Sequence, residues 1–320
     1  MTKTILIKRV SVALMVLITL SCIFTPNIMV FRLLSRYSVQ IMLAFLALGL
    51  LLLALQQQTL MFASLGCCAA LCIFLKSSAG IDFRRDSPTS APAIKVTHIN
   101  LSAITEDYNL IFTALRNNEA DIVSLQEMTP DWNRLISDSL RQWYPYQARH
   151  IGFSMDGLAI FSRFPIVSKD TFYCGETPIL SAIAEIDSTH RVAIISSYLS
   201  PPLYSGAYKH LKEQLDTMNN YINRQIYPTI IAGDFNLVVW SDEISKFRHT
   251  SHLANSRLNF VPNYQNGHLR LFDVPIDHIF FSRGLRCLDF ETIGNPTIPH
   301  IGISGLYQFR SMNNTTETAK

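Results

Sequence analysis

The first 75 residues contain no acidic side chain and are dominated by three apolar runs. The runs cover residues 10–31, 39–55 and 60–75, and Pro26 and Asn27 interrupt the first of them. A membrane-spanning helix needs about 20 mainly apolar residues, with about 17 near the lower limit. The first run alone is compatible with a signal peptide, and all three are compatible with a buried soluble bundle. Their number and the missing acidic residues favour about three transmembrane helices in residues 1–75.

The positive charge of the chain lies in this apolar segment. The chain has 27 basic and 24 acidic residues, and five of the basic residues fall within residues 1–75. The remainder therefore carries 22 basic residues against 24 acidic ones, and its longest basic cluster is Arg84-Arg85. Strong binding to a duplex uses several phosphate contacts from basic side chains. We therefore expect no stable nucleic-acid complex, despite the net charge of +3.

A polar segment follows the membrane region. Residues 76–92 are rich in serine, glycine and proline, which is typical of a linker. Beyond it, short apolar strands alternate with amphipathic helices, such as residues 206–224 with apolar positions three and four apart. The sequence therefore predicts a membrane region (1–75), a linker (76–92), a catalytic domain (93–311) and a disordered tail (312–320).

Polar side chains follow several of the predicted strands at the points where those strands end. They are Asn100, Glu127, Asp234 and Asn236, and Asp277 lies inside a further apolar run. Each of them alone is an ordinary turn former. Asp234 and Asn236 are two residues apart on an extended segment, so they share a face. Oxygen donors without cysteine or paired histidine suit hard cations such as Mg²⁺ or Mn²⁺.

The order of these motifs resembles the endonuclease/exonuclease/phosphatase superfamily of DNase-like proteins. The resemblance runs from about residue 94 to 309 and includes the segments 157–166 and 197–199. It implies an α+β fold, a four-layer αββα sandwich of two packed mixed β-sheets flanked by helices, here preceded by transmembrane helices. In this superfamily the active site lies where the strand ends meet at one edge of the sandwich.

The resemblance also implies a role for each motif residue. Asn100 and Glu127 correspond to the metal-binding pair for Mg²⁺ or Mn²⁺. Asp234 would orient or deprotonate the attacking water, and Asn236 would bind the phosphoryl oxygens. Asp277 would be the acid of an Asp–His dyad. Phosphoryl transfer depends on charge neutralisation and in-line positioning, and these residue types supply both.

Two positions depart from the superfamily pattern. The closing Ser-Asp-His motif is best matched by Ile298-Pro299-His300, which makes His300 the dyad histidine. Pro299 then replaces an aspartate that helps with metal or water, and its side chain offers no ligand. Tyr198 stands where many members carry histidine; a phenol hydrogen-bonds phosphate, but a core aromatic on a strand is an equal alternative.

These observations predict a membrane-anchored, divalent-metal-dependent hydrolase of phosphoesters, in particular phosphodiesters. A phospholipid head group and a nucleic acid are the candidate substrates, and the lipid bilayer is a partner of residues 1–75. The alternative, motivated by Pro299, is a catalytically degenerate binding or scaffold protein on the same fold.

The location follows from the same resemblance and from the basic residues at the helix ends. Trp240-Ser241 resembles a stretch of membrane-attached bacterial members, so we expect a multi-pass protein of a bacterial inner membrane. Three basic residues precede the first apolar run, and the first helix usually dominates orientation. This favours a catalytic domain outside the cytoplasm, although Arg32 and Arg36 oppose it.

Overall fold

A computed structural model describes residues 2–25, 29–79, 88–103, 109–153, 156–202, 204–257, 273–294 and 301–310. Its helices are α1 (Thr2–Phe24), α2 (Met29–Arg36), α3 (Ser38–Ala54), α4 (Gln58–Ala79), α5 (Asn109–Asn118), α6 (Pro130–Arg141), α7 (Ser205–Ile222) and α8 (Asp242–Thr250). Its strands are β1 (Ala93–Asn100), β2 (Ile122–Gln126), β3 (Tyr146–His150), β4 (Leu158–Ser162), β5 (Ile166–Cys174), β6 (Thr177–Glu185), β7 (Arg191–Ser197), β8 (Thr229–Asp234), β9 (Leu253–Asn255), β10 (Asp277–Ser282), β11 (Leu285–Ile293) and β12 (Gly302–Phe309).

The four N-terminal helices contain two segments that are long and apolar enough to cross a membrane. These are Ile5–Phe24 and Gln58–Ala79. Helices α2 and α3 are bent by 69° relative to each other and would provide a third span only if they act together. The predicted three spans therefore remain a prediction. Helix α4 also extends to Ala79, into the segment predicted as a linker, while the predicted tail lies outside the described residues.

The remaining strands form two six-stranded mixed sheets. The order of the first sheet is β11-β12-β1-β2-β4-β3, and the order of the second is β5-β6-β7-β8-β10-β9. Each sheet has one parallel pair at its centre, β1 with β2 and β7 with β8. The carboxyl ends of these four strands, where the polar motifs begin, thus lie at sheet edges rather than inside the layers.

The two sheets pack face to face and each has a helical layer on its outer face. Val96 and Ile160 of the first sheet share one buried cluster with Ile194 and Ile279 of the second. Helices α5 and α6 cover the outer face of the first sheet, and α7 and α8 cover that of the second. This arrangement is the predicted four-layer αββα sandwich, and the fold-class prediction is confirmed.

The N-terminal helices share a core with the helical layer of the second sheet. Val39 of α3 and Leu75 of α4 are buried in the same cluster as Leu211 of α7. The indole Nε1 of Trp240, which is 1% exposed, donates a hydrogen bond of 2.8 Å to the carbonyl oxygen of Ser35 in α2. The anchor helices and the sandwich are therefore joined by buried apolar and polar contacts.

We expect Trp240→Phe to weaken this junction. Phenylalanine keeps an aromatic ring but removes the indole N–H, so the buried carbonyl of Ser35 loses its donor. Leaving such a group without a partner costs roughly 1–3 kcal/mol. Thermal unfolding of the full chain in detergent measures the loss, and Trp143→Phe, far from the anchor helices, is the control. Equal stability of Trp240→Phe and wild type would contradict the described junction.

Candidate active site

Alternation along β1 and β2 turns their last polar residues towards the second sheet. Val96 of β1 and Ile122 of β2 lie in the core between the sheets. Side chains on a strand alternate between faces, so Asn100 and Gln126, an even number of residues further on, point into the same gap. The two are register partners in the parallel pair of β1 and β2. The first sheet therefore brings these two amides to one edge.

The second sheet presents carboxylates to the same gap. Ile230 of β8 and Ile279 of β10 lie in the inter-sheet core, so Asp234 and Asp277 share that face. The two aspartates are direct partners in the antiparallel pair of β8 and β10. Tyr198 follows β7 with the same alternation and is 9% exposed. Three predicted site residues are thus contributed by three neighbouring strands.

A hydrogen bond between the sheets joins the two edges. The side-chain Oε1 of Gln126 accepts from the backbone N–H of Asp234 at 3.0 Å. Gln126 is fully buried, and its Nε2 has no hydrogen-bond partner among the described residues. The sequence analysis gave Gln126 no role, although its place directly before Glu127 on an inward-facing step is a usable signal.

Backbone contacts fix the turn that follows β8. A Cβ at Gly233 would overlap the carbonyl oxygen of Ser197, so only glycine fits this close approach. Asn236 has a positive φ of 51°, which asparagine tolerates better than most residues. Its backbone N–H donates to Asp234 Oδ1 at 2.8 Å, and its Nδ2 donates to the carbonyl of Leu199 at 2.8 Å. The turn therefore holds both predicted side chains in place.

Glu127 is held in an unfavourable backbone conformation directly after β2. Its φ is +60°, which is uncommon for a residue other than glycine. The next residue, Met128, donates its backbone N–H to the carbonyl of Gly157 at 3.0 Å. A Cβ on Gly157 would overlap the backbone of Met128, so the glycine permits this approach. Such local strain persists where the surroundings enforce it, and it is concentrated at functional sites.

Electrostatic coupling shows that these groups share one environment. Burial raises the pKa of the Asp234 carboxyl, and the charges of Asp277 and Glu127 raise it further. The guanidinium of Arg36 in α2 acts in the opposite direction on the same pKa. Burial and the charges of Asp234 and Glu127 also raise the pKa of Tyr198, which is hydrogen-bonded to Asn236. The site therefore concentrates negative charge that a bound cation would relieve.

The donor set fits a hard divalent cation better than a transition metal. Among the described residues, no group of three or more His, Cys, Asp or Glu side chains is arranged to hold a metal. Mg²⁺ commonly uses one or two carboxylates and keeps several waters, which matches the amide of Asn100 with the carboxylate of Glu127. The Oδ1 of Asn100 accepts from the N–H and the Oγ of Ser102 at 3.0 and 2.8 Å, so its orientation is set.

The histidines require separate treatment. His300 and Pro299 lie outside the described residues, so the dyad of Asp277 with His300 remains a prediction. His278 lies on the opposite face of β10, where its Nε2 donates to the carbonyl of Leu237 at 2.7 Å. Burial lowers its pKa to about 3, so it stays neutral. It is therefore placed away from the predicted site.

We expect Asp234→Asn to stabilise the metal-free protein at alkaline pH. The folded state raises the pKa of Asp234 above its unfolded value of about 4, so the folded chain holds the proton more tightly and loses stability as pH rises above 4. Asparagine keeps the acceptor for the Asn236 N–H but carries no charge. Each pKa unit is worth about 1.4 kcal/mol, so we expect a gain of at least about 1 kcal/mol at pH 8.

Thermal unfolding in EDTA at pH 4 and pH 8 measures this effect. The stabilisation of Asp234→Asn should be present at pH 8 and nearly absent at pH 4. The exposed Asp138 on α6 provides the control, and Asp138→Asn should change neither value. A variant that is less stable than wild type at pH 8 would contradict the crowding of carboxylates at this site.

We also expect Arg36 to set the pH at which the site becomes active. Removing its charge with Arg36→Gln raises the pKa of Asp234 further, because the opposing cation is lost. If ionised Asp234 is the proton acceptor, the acid limb of any activity profile moves to higher pH. Arg32→Gln on the same helix is the matched control, because Arg32 lies over the ring of Tyr208 instead. Equal acid limbs in both variants would contradict the role of Arg36.

Comparison with known proteins agrees with this geometry. A sequence profile described as "Endonuclease/Exonuclease/phosphatase family" matches residues 99–299, whereas no curated protein matches the chain. A structure of an endonuclease/exonuclease/phosphatase from Beutenbergia cavernae superposes with a TM-score of 0.55 at 17% identity, covering 71% of this chain and 72% of that chain.

Two further solved structures have the same fold. The human Nocturnin catalytic domain with bound sulfate anion gives a TM-score of 0.55 at 18% identity, covering 71% of this chain and 98% of that chain. D. rerio TDP2 complexed with a single-strand DNA product gives 0.55 at 14% identity, covering 68% and 99%. At these identities the similarity establishes the fold alone. Since the family profile spans most of the sandwich, the chain belongs to the endonuclease/exonuclease/phosphatase family.

Proposed function

We propose that the protein is a membrane-anchored, divalent-metal-dependent hydrolase that cleaves phosphodiesters with an activated water. The observation that carries this proposal is the convergence of Glu127, Asp234, Asp277 and Tyr198 on one inter-sheet edge, joined by the bond from Gln126 to Asp234. Members of this family are usually phosphoester hydrolases or nucleases. The chain has the polar groups that such chemistry requires.

Asp234 is the proposed acceptor for the proton of the attacking water. Its Oδ1 is already bound by the backbone N–H of Asn236, which fixes the carboxylate and leaves Oδ2 for the water. The raised pKa of Asp234 makes this carboxylate a stronger base than an exposed aspartate. General bases are most effective when their pKa lies near the working pH. The geometry and the basicity of Asp234 therefore suit the same task.

Tyr198 and Asn236 are the proposed contacts of the phosphoryl oxygens. The raised pKa of Tyr198 keeps its phenol protonated, so the hydroxyl donates a hydrogen bond. Asn236 is anchored by its bond to the carbonyl of Leu199 and hydrogen-bonds Tyr198. Donors fixed in advance stabilise developing charge without reorganisation. This arrangement favours binding of a phosphoryl group beside Asp234.

The metal and the dyad complete the proposal. A divalent cation such as Mg²⁺ or Mn²⁺ held by Asn100 and Glu127 would neutralise charge that develops on the phosphoryl oxygens. Asp277 faces the same gap and would orient His300, whose imidazole would supply a proton to the leaving oxygen. Pro299 contributes no donor to either task, so the remaining oxygen donors would hold the cation without it.

Two substrate classes are compatible with this site. A nucleic acid is favoured by the similarity to TDP2, whose structure contains a single-strand DNA product. A phospholipid head group is favoured by the anchor helices, which share a buried core with the sandwich. The part of the chain after residue 75 has a slight excess of acidic residues, which disfavours tight binding of a duplex. We therefore place the phospholipid head group first.

We expect Glu127→Gln to abolish most of the activity of the full chain. The change keeps size and hydrogen bonding but removes the carboxylate proposed to hold the cation. Loss of one such electrostatic contact typically costs about 10²- to 10³-fold in kcat. Hydrolysis of bis-p-nitrophenyl phosphate by detergent-purified protein with Mg²⁺ or Mn²⁺ measures it. EDTA should abolish wild-type turnover, and Glu213→Gln on the exposed face of α7 should leave turnover unchanged.

The same assay separates the enzyme from a scaffold protein. A folded full chain that turns over no diester with either metal supports a binding role on the same fold. The assay requires the full chain, because the sandwich shares a buried core with α3 and α4. A panel of phospholipids, single-strand oligonucleotides and inositol phosphates then identifies the substrate class.

A further inference from the structure

A cleft of about 540 Å³ lies where the last anchor helix meets the sandwich. Its wall is formed by the C-terminal end of α4, by α8, by the segment that leads into β9 and by the turn after β10. The polar lining residues that matter here are Ser77, Ser78, Arg248, His249, His252 and Arg283. None of the predicted site residues lines this cleft, so it is separate from the candidate active site.

The lining of the cleft is cationic. It includes two arginines and two histidines but no aspartate or glutamate. The acidic residues of α8 lie in its first turn, whereas Arg248 and His249 lie in its last turn. Like charges held together without an acidic partner repel one another, and a bound anion relieves that repulsion. The cleft is therefore electrostatically complementary to an anion.

Arg248 is the most constrained of these cations. Its Nη1 donates to the carbonyl oxygen of Ala79, the last residue of α4, at 2.7 Å. Its Nε is buried and has no hydrogen-bond partner among the described residues. Burial lowers the pKa of the guanidinium, so the charge is poorly solvated. A desolvated arginine interacts more strongly with an anion than a fully hydrated one does.

The position of the cleft suggests the source of the anion. Ser77 and Ser78 belong to the last turns of the segment Gln58–Ala79, one of the two helices long and apolar enough to cross a membrane. If α4 spans a bilayer, its end lies at the level of the polar head groups. Basic pockets at this level are typical sites for anionic lipid head groups. A lipid phosphate is therefore the anion nearest to the cleft.

We propose that this cleft binds the phosphate group of an anionic membrane lipid and so seats the sandwich on the bilayer surface. Arg248 and Arg283 supply the charge, and the serine hydroxyls of α4 supply further hydrogen bonds. The inference rests on the proposed membrane anchoring but not on catalysis. The cleft would bind an intact lipid rather than a reacting one, because it contains no carboxylate to activate water.

The test uses detergent-purified full chain and measures its thermal stabilisation by added lipid. Phosphatidylglycerol is the anionic probe and phosphatidylcholine is its zwitterionic counterpart. A ligand that binds only the folded state raises the Tm with its concentration. The test variants are Arg283→Gln and the double variant Arg283→Gln/His252→Gln. Arg134→Gln, an exposed arginine of α6 that pairs with Asp131, is the matched control.

We expect phosphatidylglycerol to stabilise wild type and Arg134→Gln equally and more than phosphatidylcholine does. Its apparent affinity should fall roughly tenfold in the double variant, the loss expected for one charge-assisted contact. Arg283→Lys should retain most of the affinity because it retains the charge. The unliganded Tm of each variant should equal that of wild type, because Arg283 is exposed at a turn.

Three results would overturn the inference. Equal lipid affinity in wild type and double variant would place the lipid elsewhere. Stabilisation by inorganic phosphate that depends on Arg283, without an effect of lipid, would make the cleft a site for free phosphate. Tighter binding of a single-strand oligonucleotide with the same dependence would assign it to nucleic acid. No turnover is measured, so a failure of the proposed hydrolase activity leaves each result interpretable.

Discussion

The hydrogen bond from the Gln126 side chain to the Asp234 backbone links the two sheets at the point where chemistry is proposed. It is buried, and it joins the end of β2 to the end of β8. Two packed sheets are otherwise held by apolar contacts, which fix their spacing but not the alignment of their edges. This single directional contact aligns the edges, so Glu127 on one sheet and Asp234 on the other share one electrostatic environment.

Local backbone constraints support that alignment on both sides. Gly233 lets β8 approach the backbone after β7, and Gly157 lets β4 approach the segment after β2. The strained residues Glu127 and Asn236 follow directly. The raised pKa of Asp234 and the positive φ of Glu127 both reduce the stability of the fold. Such costs are expected where a site is organised for binding or catalysis rather than for stability.

Much of the fold could be predicted from sequence because buried strands and amphipathic helices have distinct periods. The central strands are buried along their length and were predicted, whereas β5 (Ile166–Cys174) is mostly exposed at a sheet edge and gives no apolar pattern. Motif order identified the site residues, but the pairing of Asp277 with Asp234 depends on strand register. The effect of Arg36 on Asp234 depends on how α2 packs against the sandwich, which no local pattern encodes.

The account depends on a cation site at the convergence of the strand ends, and Mn²⁺ binding tests this directly. Electron paramagnetic resonance of the full chain titrated with Mn²⁺ counts bound ions without requiring turnover. We expect a saturable site in wild type and in Glu213→Gln that is lost or greatly weakened in Glu127→Gln. Unchanged Mn²⁺ binding in Glu127→Gln, or no saturable site in folded wild type, would contradict the proposed metal centre.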